Sequence, residues 1–153
     1  MEWTSKFWNE VEEGENLPPQ THRMTRVGII AMAFAARDFL PPVHIDPESA
    51  RASGLPDVNL NIISTGGLIE KCLTGWAGPL GRIKRMKYTI GAGVFPGDTL
   101  TFSGHVKRKL IENGEHLVEI EYTLSVAAGP HASGTALIAL PAHALKEGEQ
   151  CSI

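Results

Sequence analysis

Ser64-Thr65-Gly66-Gly67-Leu68-Ile69-Glu70-Lys71-Cys72-Leu73-Thr74-Gly75-Trp76-Ala77-Gly78-Pro79 is the stretch on which the fold turns. Ile69, Cys72, Leu73 and Trp76 recur at three- and four-residue spacing, so a helix over 64–77 carries one apolar face. Ser64 or Thr65 offers an N-cap hydroxyl, and Gly78-Pro79 ends the helix because proline cannot continue it. An apolar face needs a partner, and the downstream sequence supplies one. His116, Val118, Ile120, Tyr122, Leu124 and Val126 alternate with Glu119, Glu121, Thr123 and Ser125; Leu100–Val106 and Ala132–Leu140 repeat the pattern. A period of two marks strands with one buried side. Asn113-Gly114 supplies a hairpin turn and Gly129-Pro130 a break. Strands near 82–94, 99–110, 115–128 and 131–140 therefore form an antiparallel meander behind one long helix, an α+β arrangement.

Upstream, Thr25 caps a helix running to about Arg37 that buries Ile29, Ile30, Ala33 and Phe34; a buried strand is the alternative, since short apolar runs do not separate the two states. Asp46 or Pro47 opens a short helix through Ala52, closed by Gly54. Residues 1–19 read as an N-terminal arm, 20–145 as the domain and 146–153 as a polar tail. A chain of 153 residues suits one core. Its formal charge of −3 implies no general affinity for nucleic acid or an anionic membrane. The longest apolar run, Val27 to Ala36, is too short for a bilayer, and the acidic first twenty residues do not resemble a signal peptide. A soluble, cytoplasmic protein is expected. Cys72 falls on the core stripe and Cys151 in the tail; neither belongs to a zinc-type spacing, and no metal is expected.

Between the first two helices lies Asp38-Phe39-Leu40-Pro41-Pro42-Val43-His44. A carboxylate and an imidazole exchange protons near neutral pH when their surroundings tune them, and the prolines restrict the backbone between them. The same spacing suits a surface hydrogen bond, and the residues alone leave both readings open.

This element is followed by Asp57-Val58-Asn59-Leu60-Asn61-Ile62-Ile63-Ser64-Thr65-Gly66-Gly67, Thr74-Gly75-Trp76-Ala77-Gly78-Pro79 and Val94-Phe95-Pro96-Gly97-Asp98-Thr99-Leu100. In that order the segments resemble the MaoC-like dehydratases, the (R)-specific enoyl-CoA hydratase family, over roughly residues 20 to 141. His44 lies one residue further from Asp38 than is usual in the family, and the Asn of that loop is absent. The resemblance implies a hotdog fold, with the sheet wrapped around the long helix and two units paired. It implies hydration of a trans-2-enoyl-CoA to a (3R)-hydroxyacyl-CoA, or the reverse, with an acyl-CoA thioester as substrate and no separate cofactor.

In that scheme Asp38 is the principal base and His44 orients the water. Gly66 and Gly67 present backbone N–H groups to the thioester oxygen, although two glycines also ease a tight helix entry. Asn61, Ser64 and Arg85 are candidate substrate contacts: Asn61 and Ser64 flank the helix entry, and Arg85 belongs to a basic cluster with Arg82, Lys84 and Lys87 that suits CoA phosphates or a solvated strand face. Trp76 and Asp46 read as packing and capping residues, and His105, His116 and His131 as structural or exposed. The expected assembly is a homodimer or a heteromer with another hotdog subunit. Two rival functions stand beside the hydratase: a non-catalytic hotdog subunit, and an acyl-CoA thioesterase, whose carboxylate would have to be Glu70.

Overall fold

The alternating segments close into a five-stranded antiparallel sheet in the computed structural model, which describes residues 4–143. The strands are β1 (Gln20–Arg23), β2 (Arg82–Ile90), β3 (Thr99–Glu112), β4 (Glu115–Val126) and β5 (Gly129–Ala139). Their order is β1-β3-β4-β5-β2. This corrects the simple meander: β3, β4 and β5 are consecutive neighbours, but β2 pairs with β5, Arg82 opposite Ala139 and Ile90 opposite Ala132. Exposed Arg82, Lys84, Arg85 and Lys87 suit an edge strand, where cations discourage further pairing. Two strand ends also move. β2 stops at Ile90, and Val94 is fully buried beyond it, its carbonyl accepting from Leu60 N–H at 3.0 Å. Gly129-Pro130 opens β5 and the turn falls on Ala127-Ala128, because Gly129 takes φ 131°, open to glycine.

Three α-helices complete the described residues: α1 (Arg26–Ala35), α2 (Pro47–Ala52) and α3 (Ile62–Ala77). The segment expected to run to about Arg37 is thus helical as far as Ala35, with Thr25 Oγ1 accepting from Gly28 N–H at 3.0 Å; Ile29 and Ala33 are buried, whereas Phe34 is exposed. Its end is unusual. Asp38 N–H bonds to Ala33 O at 2.9 Å and Arg37 N–H to Phe34 O at 3.1 Å, a Schellman closure with Arg37 at φ 55° where glycine is favoured. In α2, Asp46 caps through Glu48 and Ser49 N–H, and the Ser49 hydroxyl bond is the main reason its carboxyl lies below the usual range.

α3 is capped three residues earlier than the first of the hydroxyls suggests. Asn61 is the cap: its Oδ1 accepts from Ser64 N–H at 2.7 Å, leaving Ser64 and Thr65 inside the first turns. Ile69, Cys72, Leu73 and Trp76 are all buried, in one core with Phe102, Ile120, Leu124 and Ile138 from the sheet. Each large side chain so buried contributes about 1.5–3 kcal/mol, which holds the helix across the sheet. The described part of the arm joins that core through Val11 and Leu17, and Trp8 Nε1 donates to Leu117 O at 3.0 Å. The 146–153 tail and Cys151 lie outside the described residues. Among the described residues no helix is long and apolar enough to cross a membrane.

Candidate active site

The Schellman turn ending α1 leaves Asp38 directly after its left-handed residue Arg37. Asp38 is partly exposed, and its carboxylate has no protein partner among the described residues. The chain then passes Phe39, which stacks on Phe34 at 5.9 Å, and enters a 3₁₀ turn over Pro42–His44. His44 Nδ1 lies 2.8 Å from Asn59 O. A carbonyl only accepts, so Nδ1 carries a proton, and Nε2 is the ring nitrogen left without a protein partner among the described residues. Asn59 N–H returns a bond to Val43 O at 3.3 Å, so the imidazole is tied to the segment that leads into α3. The base of that segment is fixed to α1 by a two-pronged ion pair, Arg26 to Asp57. The Arg26 bond is the main cause holding the Asp57 carboxyl below its usual range.

Asn59 stands three residues before the first residue of α3, which puts its own Cα within about 11 Å of the helix start. The helix-start geometry corrects the assignment of Gly66 and Gly67. With α3 starting at Ile62, both glycine N–H groups lie within the i→i−4 ladder and are not free to receive an oxyanion. Ser64 N–H is taken by Asn61 Oδ1 and Thr65 N–H by Asn61 O at 3.0 Å. The N–H groups of Ile62 and Ile63 remain without an acceptor among the described residues, at the positive end of a sixteen-residue helix. Gly66 instead makes room for a neighbour, since a Cβ there would lie 2.6 Å from Tyr88 Oη, which donates to Ile62 O at 3.0 Å. Gly67 faces open space.

Three buried polar atoms in this region also lack a protein partner among the described residues: Asn59 Oδ1, Asn61 Nδ2 and Ser64 Oγ; a fourth, Trp76 Nε1, lies at the other end of α3. Asn61 and Ser64 are 2% and 8% exposed. Arg85 stands apart on edge strand β2, exposed and without an ion-pair partner among the described residues. Its neighbours Arg82 and Lys84 share Glu115 at 2.9 and 2.8 Å, so half of the basic cluster is already paired. Glu70 is exposed on α3, well past its first turn. Asp38 and His44 make no direct hydrogen bond with one another. The residue pattern missed the Ile62 and Ile63 amides because backbone donors carry no side-chain signature; Asn61 as a cap, with a Ser three residues on, was the available signal.

Known proteins share this arrangement of sheet and helix, although no protein-family model matches the chain. R-hydratase PhaJ1 from Pseudomonas aeruginosa has the same fold, with a TM-score of 0.79 and 23% identity over 95% of each chain. So has a MaoC-like dehydratase from Rhodospirillum rubrum, at 0.77 and 20%, over 92% of this chain and all of that one (100%). A chain of the ChsH1-ChsH2 complex from Mycobacterium tuberculosis is 31% identical, TM-score 0.77, covering 84% of this chain and 98% of its own. The chain belongs to the MaoC-like dehydratase and R-hydratase family. Its sheet and α3 are accordingly those of a hotdog fold. A curated relative, the 3-oxo-4,17-pregnadiene-20-carboxyl-CoA hydratase beta subunit from M. tuberculosis, is 41% identical over 78 residues, 51% of this MaoC-like chain and 60% of the relative.

Proposed function

We propose that this chain is a hydro-lyase that adds water across the double bond of a trans-2-enoyl-CoA, giving a (3R)-hydroxyacyl-CoA, or runs the reverse dehydration. The observation that carries the reading is the His44–Asn59 bond: it engages Nδ1, leaves Nε2 without a protein partner among the described residues, and ties the ring to the segment that leads into α3 and its two unused N–H groups. A water between Asp38 and His44 gives up a proton as its oxygen bonds to C3. The C2–C3 π electrons move toward the thioester, whose oxygen takes the negative charge at the Ile62 and Ile63 N–H groups. C2 then takes a proton back from the Asp38–His44 pair, which received one from the water, and the thioester carbonyl re-forms. Asp38 is the principal base and His44 orients the water. General acid–base help is worth ~10²–10⁴-fold, and a single oxyanion donor ~10²-fold or more. The buried orphans Asn61 Nδ2 and Ser64 Oγ suit a polar ligand or a bound water at the same end of the helix. Arg85 is kept as a phosphate contact for the CoA moiety, from the unpaired half of the basic cluster.

A second reading is favoured by the relatives: one is named a beta subunit and the other is crystallised as a two-protein complex. On that reading the chain works in a heteromer with another hotdog subunit. The relative's name also makes a steroid-type acyl group the first bulky substrate to try. The test is incubation with enoyl-CoAs of graded size, steroid-type included, following loss of enoyl absorbance alone and with candidate hotdog partners. Activity of the pure chain establishes the hydratase; activity only with a partner establishes the heteromer. Thiol release from saturated acyl-CoA, without hydration, overturns both in favour of a thioesterase.

A further inference from the structure

We propose that His131 is a positioning residue: through the Thr65 hydroxyl it holds the first turn of α3, and with it the free N–H groups of Ile62 and Ile63, in register with the sheet. The inference rests on the reading of those N–H groups as the oxyanion site. His131 sits on β5 and is 2% exposed, an imidazole where an apolar side chain would fill the core without needing partners. Both ring nitrogens are engaged. Nδ1 lies 2.6 Å from Ala92 O, which can only accept, so Nδ1 carries the proton and Nε2 accepts from Thr65 Oγ1 at 2.8 Å. Thr65 is fully buried, and the carbonyl of the cap residue Asn61, 2.9 Å from its Oγ1, competes with His131 Nε2 for the one hydroxyl proton. The Thr65 hydroxyl therefore ties the first turn of α3 to a sheet strand, across 66 positions of sequence.

The first turn needs such a hold. Helix ends fray, and Ile62 and Ile63 are 55% and 54% exposed, so apolar packing does not fix them. Polar contacts do: the Asn61 cap, Tyr88 on Ile62 O, and the His131–Thr65 pair. Donors that receive a developing charge must be placed to a fraction of an ångström, and a 1 Å error can lower turnover by ~10²-fold.

Thr65→Val keeps the volume and removes the hydroxyl; Thr65→Ser keeps the hydroxyl. The backbone amide NMR signals of Ile62 and Ile63 should shift and broaden in Thr65→Val while those of Ile69 and Leu73 stay put, and Thr65→Ser should restore them. In the active assembly kcat should fall ~10-fold or more with KM nearly unchanged, and the serine variant should recover it. His131→Phe, which fills the ring volume without nitrogens, carries the same expectation. Unmoved Ile62 and Ile63 signals, or wild-type kcat in Thr65→Val, overturn the proposal. So does failure of both Thr65→Val and His131→Phe to fold, which assigns the pair to core stability. A wild-type protein inert toward every enoyl-CoA sinks the hydratase reading instead, and the amide signals alone then decide the coupling.

Discussion

Gly66 and Gly67 are adjacent in one helix, yet alanine should act on them in opposite ways. In a helix interior alanine is favoured over glycine by about 1 kcal/mol, through backbone entropy lost on folding. At Gly67 nothing lies within 4 Å of the added Cβ, so Gly67→Ala should deliver most of that gain. At Gly66 the Cβ meets Tyr88 Oη at 2.6 Å. Restoring ordinary contact requires a displacement of about 0.8 Å, which stretches the 3.0 Å bond from Tyr88 to Ile62 O beyond hydrogen-bonding distance. The lost bond is worth about 0.5–1.5 kcal/mol, so the alanine gain is cancelled or reversed. Removing the hydroxyl should release the conflict: in Tyr88→Phe the nearest atom is the ring Cζ at 3.5 Å, and Gly66→Ala should then stabilise. Urea unfolding of the three single and two double variants gives the couplings, expected near 1 kcal/mol between positions 66 and 88 and absent between 67 and 88. Equal responses of Gly66→Ala and Gly67→Ala would refute the reasoning. Destabilisation by Gly67→Ala in the assembled protein would mean that another chain packs on that face.

Asp38→Asn should lower hydration by ~10²-fold or more with little change in melting temperature, and the Asp38→Asn/His44→Ala double variant should lose little beyond the worse single, because both groups act on one water; near-wild-type turnover of Asp38→Asn would move the base elsewhere. Arg37→Gly should stabilise by about 0.5–1 kcal/mol in urea unfolding, since glycine takes φ 55° without the Cβ penalty and returns only part of that gain as unfolded-state entropy. Burial, then the neighbouring Tyr88, pushes the Tyr122 phenol up to about 12. The folded state favours its neutral form, so this contribution to stability is intact below the unfolded value of about 10 and is lost as pH rises through about 12. Ultraviolet titration should show a phenolate step near 12 that Tyr122→Phe removes.

The helix and the alternating strands were legible because burial imposes a period on side chains. Ile69, Cys72, Leu73 and Trp76 could face only one way, and all four do. Strand order was not legible: β2 and β4 both carry mixed charged and apolar residues, and the cations that mark β2 as an edge are equally compatible with a neighbour of β3. The site was half legible. Asp38, His44 and Asn61 announce themselves as side chains, whereas the donors at Ile62 and Ile63 became visible only when the cap fixed where the helix begins. His131 was legible only in part: it is structural, one of the two readings open to it. Its place in an alternating strand predicted a structural or exposed residue, and nothing nearby in sequence reveals that Thr65 and Ala92 supply its two partners.

The strand order also dictates a history for each molecule as it is made. Among the described residues β1 pairs only with β3 and β2 only with β5, so each of these two early strands waits for a neighbour in the later part of the chain. When α3 has left the ribosome, its oily side has no sheet to meet until the β3–β4–β5 hairpins follow, a delay of several seconds at ~5–20 residues per second. Those hairpins are local and can close quickly once synthesised. Nucleation therefore belongs to the later part of the chain, and a nascent chain stalled after Ala77 would expose Ile69, Leu73 and Trp76 together, a natural target for a chaperone.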